Sequence, residues 1–270
     1  AALFGAVLLI ALIGFFTITR GTAVRHVRGV GADGTPVAPA EPQFPLGITL
    51  LTGTVLAPGN RIELAFDGDG TFPRLWEDLR SAERFILFKN YYGRPGRSWD
   101  TLREILLERA AAGVRVFFLY DAFGNLQIPR RDLAALRAGG VKAAPFRPLR
   151  LSLLHVMQNR AHSRAVVVDG EVGWTGGFGI DDRWLGDGLA ERSFRETNVR
   201  FEGPAVLQLQ AAFTAAWTEA TGDLFSGRLA VERHDGGAAR AGLLYASPTL
   251  GSTVAERFLA LSSTRNPPWL

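Results

Sequence analysis

The stretch "AHSRAVVVDGEVGWTGGFGI" (residues 161–180) decides how the centre of this chain folds. Within it, "RAVVVDGEVGWTGG" (164–177) predicts two strands joined by an Asp-Gly turn, because Asp-Gly between apolar runs is a strong hairpin signal. Side chains of a strand alternate between its two faces, so His162 and Arg164 should lie on the same face. The stretch therefore predicts a hairpin that carries an imidazole and a guanidinium side by side.

An imidazole beside a permanent cation suits an anionic ligand. His162 can act as a nucleophile or a proton carrier while Arg164 binds the anion. Asp169, at the turn, can hydrogen-bond nearby and fix the geometry, and Gly176 and Gly177 allow the backbone to approach a bound group closely. The spacing alone also fits a surface hairpin with ordinary polar residues, so it leaves both interpretations open.

Outward from the hairpin, predicted strands alternate with predicted helices of about 10 to 15 residues, which indicates an α/β fold. We expect a layered α-β-α lobe with a mixed sheet. The segment "DGDG" (67–70) is predicted to be a turn. The predicted strands are 61–66, 84–92, 114–121, 141–146 and 199–203, and the predicted helices are 72–82, 99–113, 130–140 and 204–222.

The chain is basic, and arginine carries most of its positive charge. Its 270 residues have a formal net charge of +4 and only two lysines, Lys89 and Lys142. Arginine binds phosphate through paired hydrogen bonds, which indicates a phosphate-bearing partner, lipid or nucleic acid; biased codon usage explains the same composition. The chain has no cysteine, and we expect no metal and no cofactor. His26, His155 and His234 are interpreted as surface or loop residues.

An uncharged N-terminal segment predicts a membrane anchor. Residues 1–19 carry no charge, and at about 1.5 Å per residue they nearly cross a bilayer core of about 30 Å. Basic residues follow, so this side should face the cytoplasm; a cleaved signal peptide is the alternative. The predicted parts are a transmembrane anchor at 1–19, a juxtamembrane linker at 20–47, a first lobe at 48–230 and the start of a second lobe at 240–270.

The central stretch resembles the signature of the phospholipase D superfamily, His-x-Lys-x4-Asp followed by a Gly-Gly pair. The similarity extends to "LLERAAAGVRVFFLYDAFGN" and "FRETNVRFEGPAVLQLQAAFTAAW", in the order found in bacterial cardiolipin synthase-like members. It covers roughly residues 60 to 260, most of the chain after the predicted anchor. The lobe at 48–230 is accordingly expected to be phospholipase D-like.

The resemblance implies a mechanism. In this family a histidine attacks a phosphodiester phosphorus and forms a phosphohistidine, a second histidine protonates the leaving alcohol, and water or another alcohol resolves the intermediate. His162 would be the nucleophile or its partner, with Asp169 in the same motif, and Arg164 would bind a non-bridging phosphate oxygen. Glu196, in "FRETNVR", stands where the family has a carboxylate that orients the histidine.

The chain departs from the family pattern at three points. The motif lysine is Arg164, and Gly179 stands where the family often has asparagine. Substrate contacts are expected from Arg164 and the glycine pair, Gly176 and Gly177. No second His-x-Lys/Arg-x4-Asp motif follows Asp169, and the other match to this pattern, residues 26–33, lies in the predicted linker. We therefore expect a chain truncated after the first lobe, whose site is completed by a second lobe or a dimer partner.

Three functions remain open at this point. The first is a membrane-anchored enzyme of the bacterial inner membrane, its soluble part cytoplasmic, that transfers a phosphatidyl group from a phospholipid to an alcohol or to water. The second is a single-motif phosphodiesterase or nuclease that acts as a homodimer, although the predicted anchor makes nucleic acid the less expected substrate. The third is a catalytically impaired module that binds lipid or phosphate.

Overall fold

A computed structural model of the protein describes residues 2–18, 26–29, 37–148, 160, 162–225, 237–245 and 254–262. The chain divides into two compact units. The larger comprises residues 57–241, and the smaller comprises residues 1–56 together with 242–270.

The larger unit is built on a mixed sheet, as predicted. Eight strands among its described residues are β1 (Ala57–Phe66), β2 (Phe85–Asn90), β3 (Arg115–Asp121), β4 (Lys142–Phe146), β5 (Ala165–Val168), β6 (Val172–Gly176), β7 (Thr197–Glu202) and β8 (Ala239–Ala241). They are ordered β4-β3-β2-β5-β6-β7-β1-β8. The neighbours β2, β3 and β4 are parallel, and every other pairing is antiparallel.

Helices cover both faces of this sheet. They are α3 (Asp67–Arg80), α4 (Arg97–Ala111), α5 (Arg130–Ala138) and α6 (Ala205–Thr221). The consecutive residues Phe117 and Phe118 of β3 show the layering, because neighbouring side chains of a strand point to opposite faces. The Phe118 ring lies 6.0 Å from Trp99 of α4, and the Phe117 ring lies 5.4 Å from Trp217 of α6. The unit therefore has the predicted α-β-α layers.

The predicted turn at 67–70 is wrong, since these residues form the first turn of α3. Asp67 and Asp69 lie in that turn, where carboxylates interact favourably with the partial positive charge at a helix N-terminus. Gly68 is required for packing, because a Cβ at this position would collide with the backbone of Trp184 and Leu185. A pattern typical of a turn thus reflects a close approach between a helix and a distant loop.

The predicted hairpin is confirmed by β5 and β6. Val168 of β5 pairs with Val172 of β6, and the turn between them places Asp169 at a φ of 55° and Gly170 at 78°. Glycine adopts this left-handed region without penalty, and aspartate tolerates it better than most residues. The Asp-Gly pair therefore has the backbone freedom that this connection requires.

The smaller unit contains the helices α1 (Ala2–Ile18), α2 (Phe44–Thr52) and α7 (Val254–Ser262). Arg257 of α7 donates a hydrogen bond of 2.7 Å to the carbonyl oxygen of Leu51 in α2. The segment predicted as an anchor forms α1, a helix of 17 uncharged residues. Within the described parts of the chain, none of the helices combines the length and the apolar character needed to cross a membrane.

Candidate active site

One edge of the sheet carries most of the predicted site residues. The pairing of Lys89 with Ala165 places the end of β2 beside the start of β5, and the pairing of Gly176 with Asn198 places the end of β6 beside the start of β7. Because β2 and β6 run in one direction and β5 and β7 in the other, these ends meet at the same edge. This brings together the segments that flank these strand ends. The segments carry His162, Arg164, Gly176, Gly177 and Glu196.

His162 presents an exposed side chain at this edge. Its ring packs edge-on against Tyr91, with the ring centroids 4.0 Å apart, and its Nδ1 atom lies 3.5 Å from Nη1 of Arg164. Partial burial, together with the positive charge of Arg164, lowers the pKa of His162, and Asp121 opposes the shift. The neutral imidazole, which is the nucleophilic form, is therefore favoured.

Arg164 is a buried cation beside this histidine. It is 4% exposed, and its Nε atom donates a hydrogen bond of 2.7 Å to the carbonyl oxygen of Phe178. Its guanidinium carbon lies 5.4 Å from the centroid of the Tyr91 ring. Burial lowers the pKa of Arg164, while Glu196 opposes this shift. The hydrogen bond to a fixed carbonyl orients the planar fork, so its geometry is set before an anion binds.

Glu196 and the glycine pair form the other wall of the site. A Cβ on Gly177 would collide with the Glu196 carboxylate, and one on Gly176 would collide with Asn198. The Glu196 backbone N–H donates to Asp67 Oδ1 at 2.9 Å. In the described part of the chain no hydrogen bond joins Glu196 to His162, and the electrostatic partner of this carboxylate is Arg164.

Asp169 is not brought to the other site residues. It follows the last residue of β5, whereas His162 precedes the first, so the two lie at opposite ends of that strand. Its carboxylate accepts hydrogen bonds from the backbone N–H groups of Glu83, Arg84 and Phe85, at 2.8, 2.8 and 2.7 Å. The motif aspartate therefore fastens the start of β2 to the hairpin, which differs from the catalytic grouping expected from the sequence.

The departure at Gly179 is explained by a neighbouring ring. A Cβ at this position would lie 2.8 to 3.1 Å from atoms of the Trp184 indole. Trp184 packs against Phe194 at 4.5 Å and against Tyr92 at 5.7 Å between ring centroids. The space that an asparagine side chain would occupy is thus filled by an aromatic cluster.

Sequence reasoning missed the polar residues at the ends of β2 and β3. Asn125 Nδ2 donates to the carbonyl oxygens of Tyr91 and Asp121, at 3.0 and 2.9 Å, and Asn90 Nδ2 donates to Asn125 Oδ1 at 3.1 Å. This network holds Tyr91 against the ring of His162. The available signal was that two apolar strands, "FILFKN" and "VRVFFLYD", both end in polar residues at the carboxyl edge of a parallel pair.

Metal ligands were not expected from the sequence. Across the described residues, the structure contains no group of three or more His, Cys, Asp and Glu side chains that could hold a metal ion. His26 is exposed, and His155 and His234 lie outside the described residues.

Known proteins that resemble this chain are cardiolipin synthases. The chain is 37% identical over 175 residues to cardiolipin synthase A of Pseudomonas aeruginosa, an alignment that covers 64% of this chain and 36% of that protein. It is 37% identical over 178 residues to cardiolipin synthase of Geobacillus kaustophilus, covering 63% and 36%. The chain thus spans about a third of the length of these curated relatives.

Two further comparisons complete this result. No protein-family model matches the chain. Among solved structures, the phospholipase D family member Nuc from Salmonella typhimurium aligns with a TM-score of 0.46 and 16% identity, over 60% of this chain and 96% of that one.

The motif at the sheet edge resembles that of the phospholipase D superfamily, and in sequence the chain is similar to cardiolipin synthases. Within that class the chain is cardiolipin synthase-like, because the relatives that share 37% of their aligned residues with it are cardiolipin synthases. This confirms the resemblance drawn from the sequence.

Proposed function

We propose that the protein is a phospholipase D-type enzyme that acts on phospholipids, as a phosphatidyltransferase or phosphodiesterase similar to cardiolipin synthase. The observation that carries the proposal is the exposed imidazole of His162 beside the buried guanidinium of Arg164, in a chain 37% identical to cardiolipin synthases. Neutral imidazole supplies a nucleophile, and a fixed cation stabilises the charge that develops on phosphorus oxygens in the transition state.

The chemical step follows from this geometry. The ring nitrogen of neutral His162 that carries no proton attacks the phosphorus. The P–N bond forms, the P–O bond to the leaving alcohol breaks, and a histidine from a second motif donates the proton that the leaving oxygen takes up. Attack by an acceptor alcohol or water then breaks the P–N bond, and the second histidine takes the acceptor's proton.

The remaining site residues support this pair. Arg164 binds a non-bridging oxygen, and the backbone at Gly176 and Gly177 leaves room for the phosphate. Glu196 balances the charge of Arg164. Asp169 acts on the fold of the motif through the backbone of 83–85. The second histidine comes from a second lobe or from a dimer partner.

The proposed organisation includes a membrane anchor. Residues 1–19 act as a transmembrane anchor at the bacterial inner membrane, residues 20–47 as the linker, 48–230 as the cytoplasmic first lobe, and 240–270 as the start of a second lobe. The absence of charge in α1 and the exposure of its apolar side chains, among them Leu3, Phe4 and Ile10, support this arrangement.

A second candidate function is a homodimeric phosphodiesterase or nuclease. The single motif within the first lobe, residues 48–230, favours it, because two copies of the chain would supply the two histidines. Nucleic acid binding would depend steeply on salt concentration, whereas a lipid enzyme requires vesicles or detergent.

His162→Ala tests the proposal, and His26→Ala is compared with it because His26 is also exposed and begins the other match to the motif pattern, residues 26–33. Purified protein is given phosphatidylglycerol in mixed micelles, and separately single-stranded DNA, and products are followed by mass spectrometry. We expect lipid products and a phosphohistidine adduct with the wild type and His26→Ala, and neither with His162→Ala. Cleavage of DNA alone would favour the second candidate. Lipid binding without turnover would favour the impaired binding module.

A further inference from the structure

Lys89 is a buried lysine next to the candidate active site. It is 3% exposed and pairs with Ala165 of β5. Its Nζ atom donates a hydrogen bond of 2.9 Å to Ser163 Oγ. Ser163 stands between His162 and Arg164 in the sequence, so Lys89 contacts the short segment that presents both of them.

Lys89 reaches this segment from the α6 side of the sheet. Phe117 contacts Trp217 of α6, and its partner on β2 is Leu87. Lys89 lies two residues beyond Leu87 and therefore on the same face. Lys89 therefore contacts Ser163 from the face of the sheet that α6 covers. It has no role in the mechanism described above.

Charged side chains surround the ammonium group from each packed element. Asp121 ends β3, Arg147 follows β4, and Glu219 lies on α6. Arg147 Nε donates to Glu219 Oε1, and Arg160 Nη1 donates to the Arg147 carbonyl oxygen at 2.8 Å and lies 3.7 Å from Asp121 Oδ1.

The segment that Lys89 contacts depends on side chains for its position. Residues 162–164 have no regular secondary structure. Arg164 is held by the Phe178 carbonyl on its side chain and by Thr175 Oγ1, which donates to its backbone oxygen at 2.9 Å. The Lys89 ammonium supplies a further point of attachment, at Ser163.

We propose that Lys89 is a positioning residue of the candidate active site: through Ser163, its ammonium group fixes the segment that presents His162 and Arg164. A buried ammonium is unfavourable unless it is paired, and here the pairing serves the segment on which the nucleophile lies. The inference rests on the proposed function in that it treats His162 and Arg164 as the pair that contacts phosphate.

The proton on Lys89 then matters to the site. Burial lowers the pKa of Lys89 from 10.5 to about 8, and Arg147 adds to this, while Glu219 and Asp121 oppose it. Below pH 8 the hydrogen bond to Ser163 is charge-assisted, and above it the neutral amine bonds more weakly. The segment should therefore loosen as the pH rises through about 8.

The stability of the fold should respond in the opposite direction. Between pH 8 and 10.5 the unfolded chain still binds the proton that the folded Lys89 has lost. Stability rises with pH wherever the unfolded state binds more protons. A lysine that served the fold alone would change only this stability, whereas a positioning lysine also changes the environment of His162.

Nuclear magnetic resonance of the full chain in detergent tests the proposal. The sequence has two lysines, so ¹³C labelling of lysine side chains yields two sets of signals, and Lys142→Arg identifies which belongs to Lys89. Histidine rings are labelled with ¹⁵N, and His162→Gln identifies the His162 signals. We expect Lys89 to titrate with a midpoint near pH 8, and the His162 ring signals to show a second inflection at the same pH.

Variants of the contact separate positioning from nearby charge. Ser163→Ala should abolish the second inflection at His162, and Ser163→Thr, which keeps the hydroxyl, should retain it. Lys89→Arg should leave no inflection near pH 8, because a guanidinium stays charged. The proposal would be overturned by a Lys89 titration midpoint near pH 10.5 or by a His162 signal that does not change as Lys89 titrates. It would also be overturned if the inflection at His162 persisted in Ser163→Ala. Because this readout needs no turnover, an inactive protein with coupled titrations would overturn only the proposed function.

Discussion

At the scale of single residues, the central feature is the protonation of His162. Partial burial, first, and the charge of Arg164, second, lower the pKa of His162 below its ordinary value of 6.5. The imidazole therefore stays neutral as the pH falls through 6.5. A nucleophile that must be neutral keeps its reactivity further into the acidic range than an ordinary histidine does.

Modification by diethyl pyrocarbonate measures this directly, since the reagent reacts with neutral imidazole. The rate at His162, followed by mass spectrometry, should reach half its maximum below pH 6.5, and Arg164→Met should move that midpoint upward because a neighbouring cation is removed. Arg61→Met is the control, at a distant arginine with a 60% exposed side chain. An unchanged midpoint in Arg164→Met would contradict the assigned role of the arginine charge.

Asp169 makes a different prediction, because its contacts are with backbone. Asp169→Ala leaves the N–H groups of Glu83, Arg84 and Phe85 without their acceptor, and the one at Phe85 is buried, where an unsatisfied donor costs about 1 to 3 kcal/mol. We expect a loss of about 1 to 3 kcal/mol in the free energy of unfolding, measured with urea. Asp223→Ala, at an exposed aspartate, should change it by less than about 0.5 kcal/mol. Equal stability of the two variants would refute the structural role.

At the scale of elements, the site depends on how closely β6 and the start of β7 approach each other. Gly177 directly follows β6, and the Glu196 carboxylate occupies the place where a Cβ at this position would lie. Gly177→Ala should displace that carboxylate from Arg164 and lower phosphodiester turnover by about tenfold or more, an effect of about 1.4 kcal/mol on the barrier. Gly70→Ala is the matched control, because a Cβ there meets only ordinary contacts at 3.7 Å or more. A similar turnover in both variants would show that this approach is not needed.

At the scale of the whole molecule, the proposed anchor determines where the enzyme works. Leu9 lies in the middle of α1 and is 58% exposed. Leu9→Arg places a charge in the apolar segment, which disfavours insertion by about 3 kcal/mol, so flotation of the protein with phospholipid vesicles should fall sharply. Leu9→Ala should float nearly as well as the wild type. If Leu9→Arg floats unchanged, the membrane contact does not depend on α1.

Much of the fold of the larger unit could be predicted from local pattern. The hairpin, the alternation of strands with helices and the mixed sheet follow from periodicity and turn residues, which are properties of neighbouring positions. The turn predicted at 67–70 was wrong because Gly68 is required by its packing against a loop more than 100 residues away in the sequence. Local pattern contains no information about such a contact.

The candidate site was predictable only in part. The sequence by itself predicted that His162 and Arg164 lie side by side, because side chains of an extended segment alternate with a period of two, and the structure places both directly before β5. At about 3.3 Å per residue, the same strand already separates Asp169 from His162. Only the tertiary structure decided that Glu196 lies beside Arg164, that Tyr91 packs on the histidine and that Lys89 bonds to Ser163. These contacts depend on strand order and register between segments far apart in sequence, and the energies that select them arise only when those segments pack together.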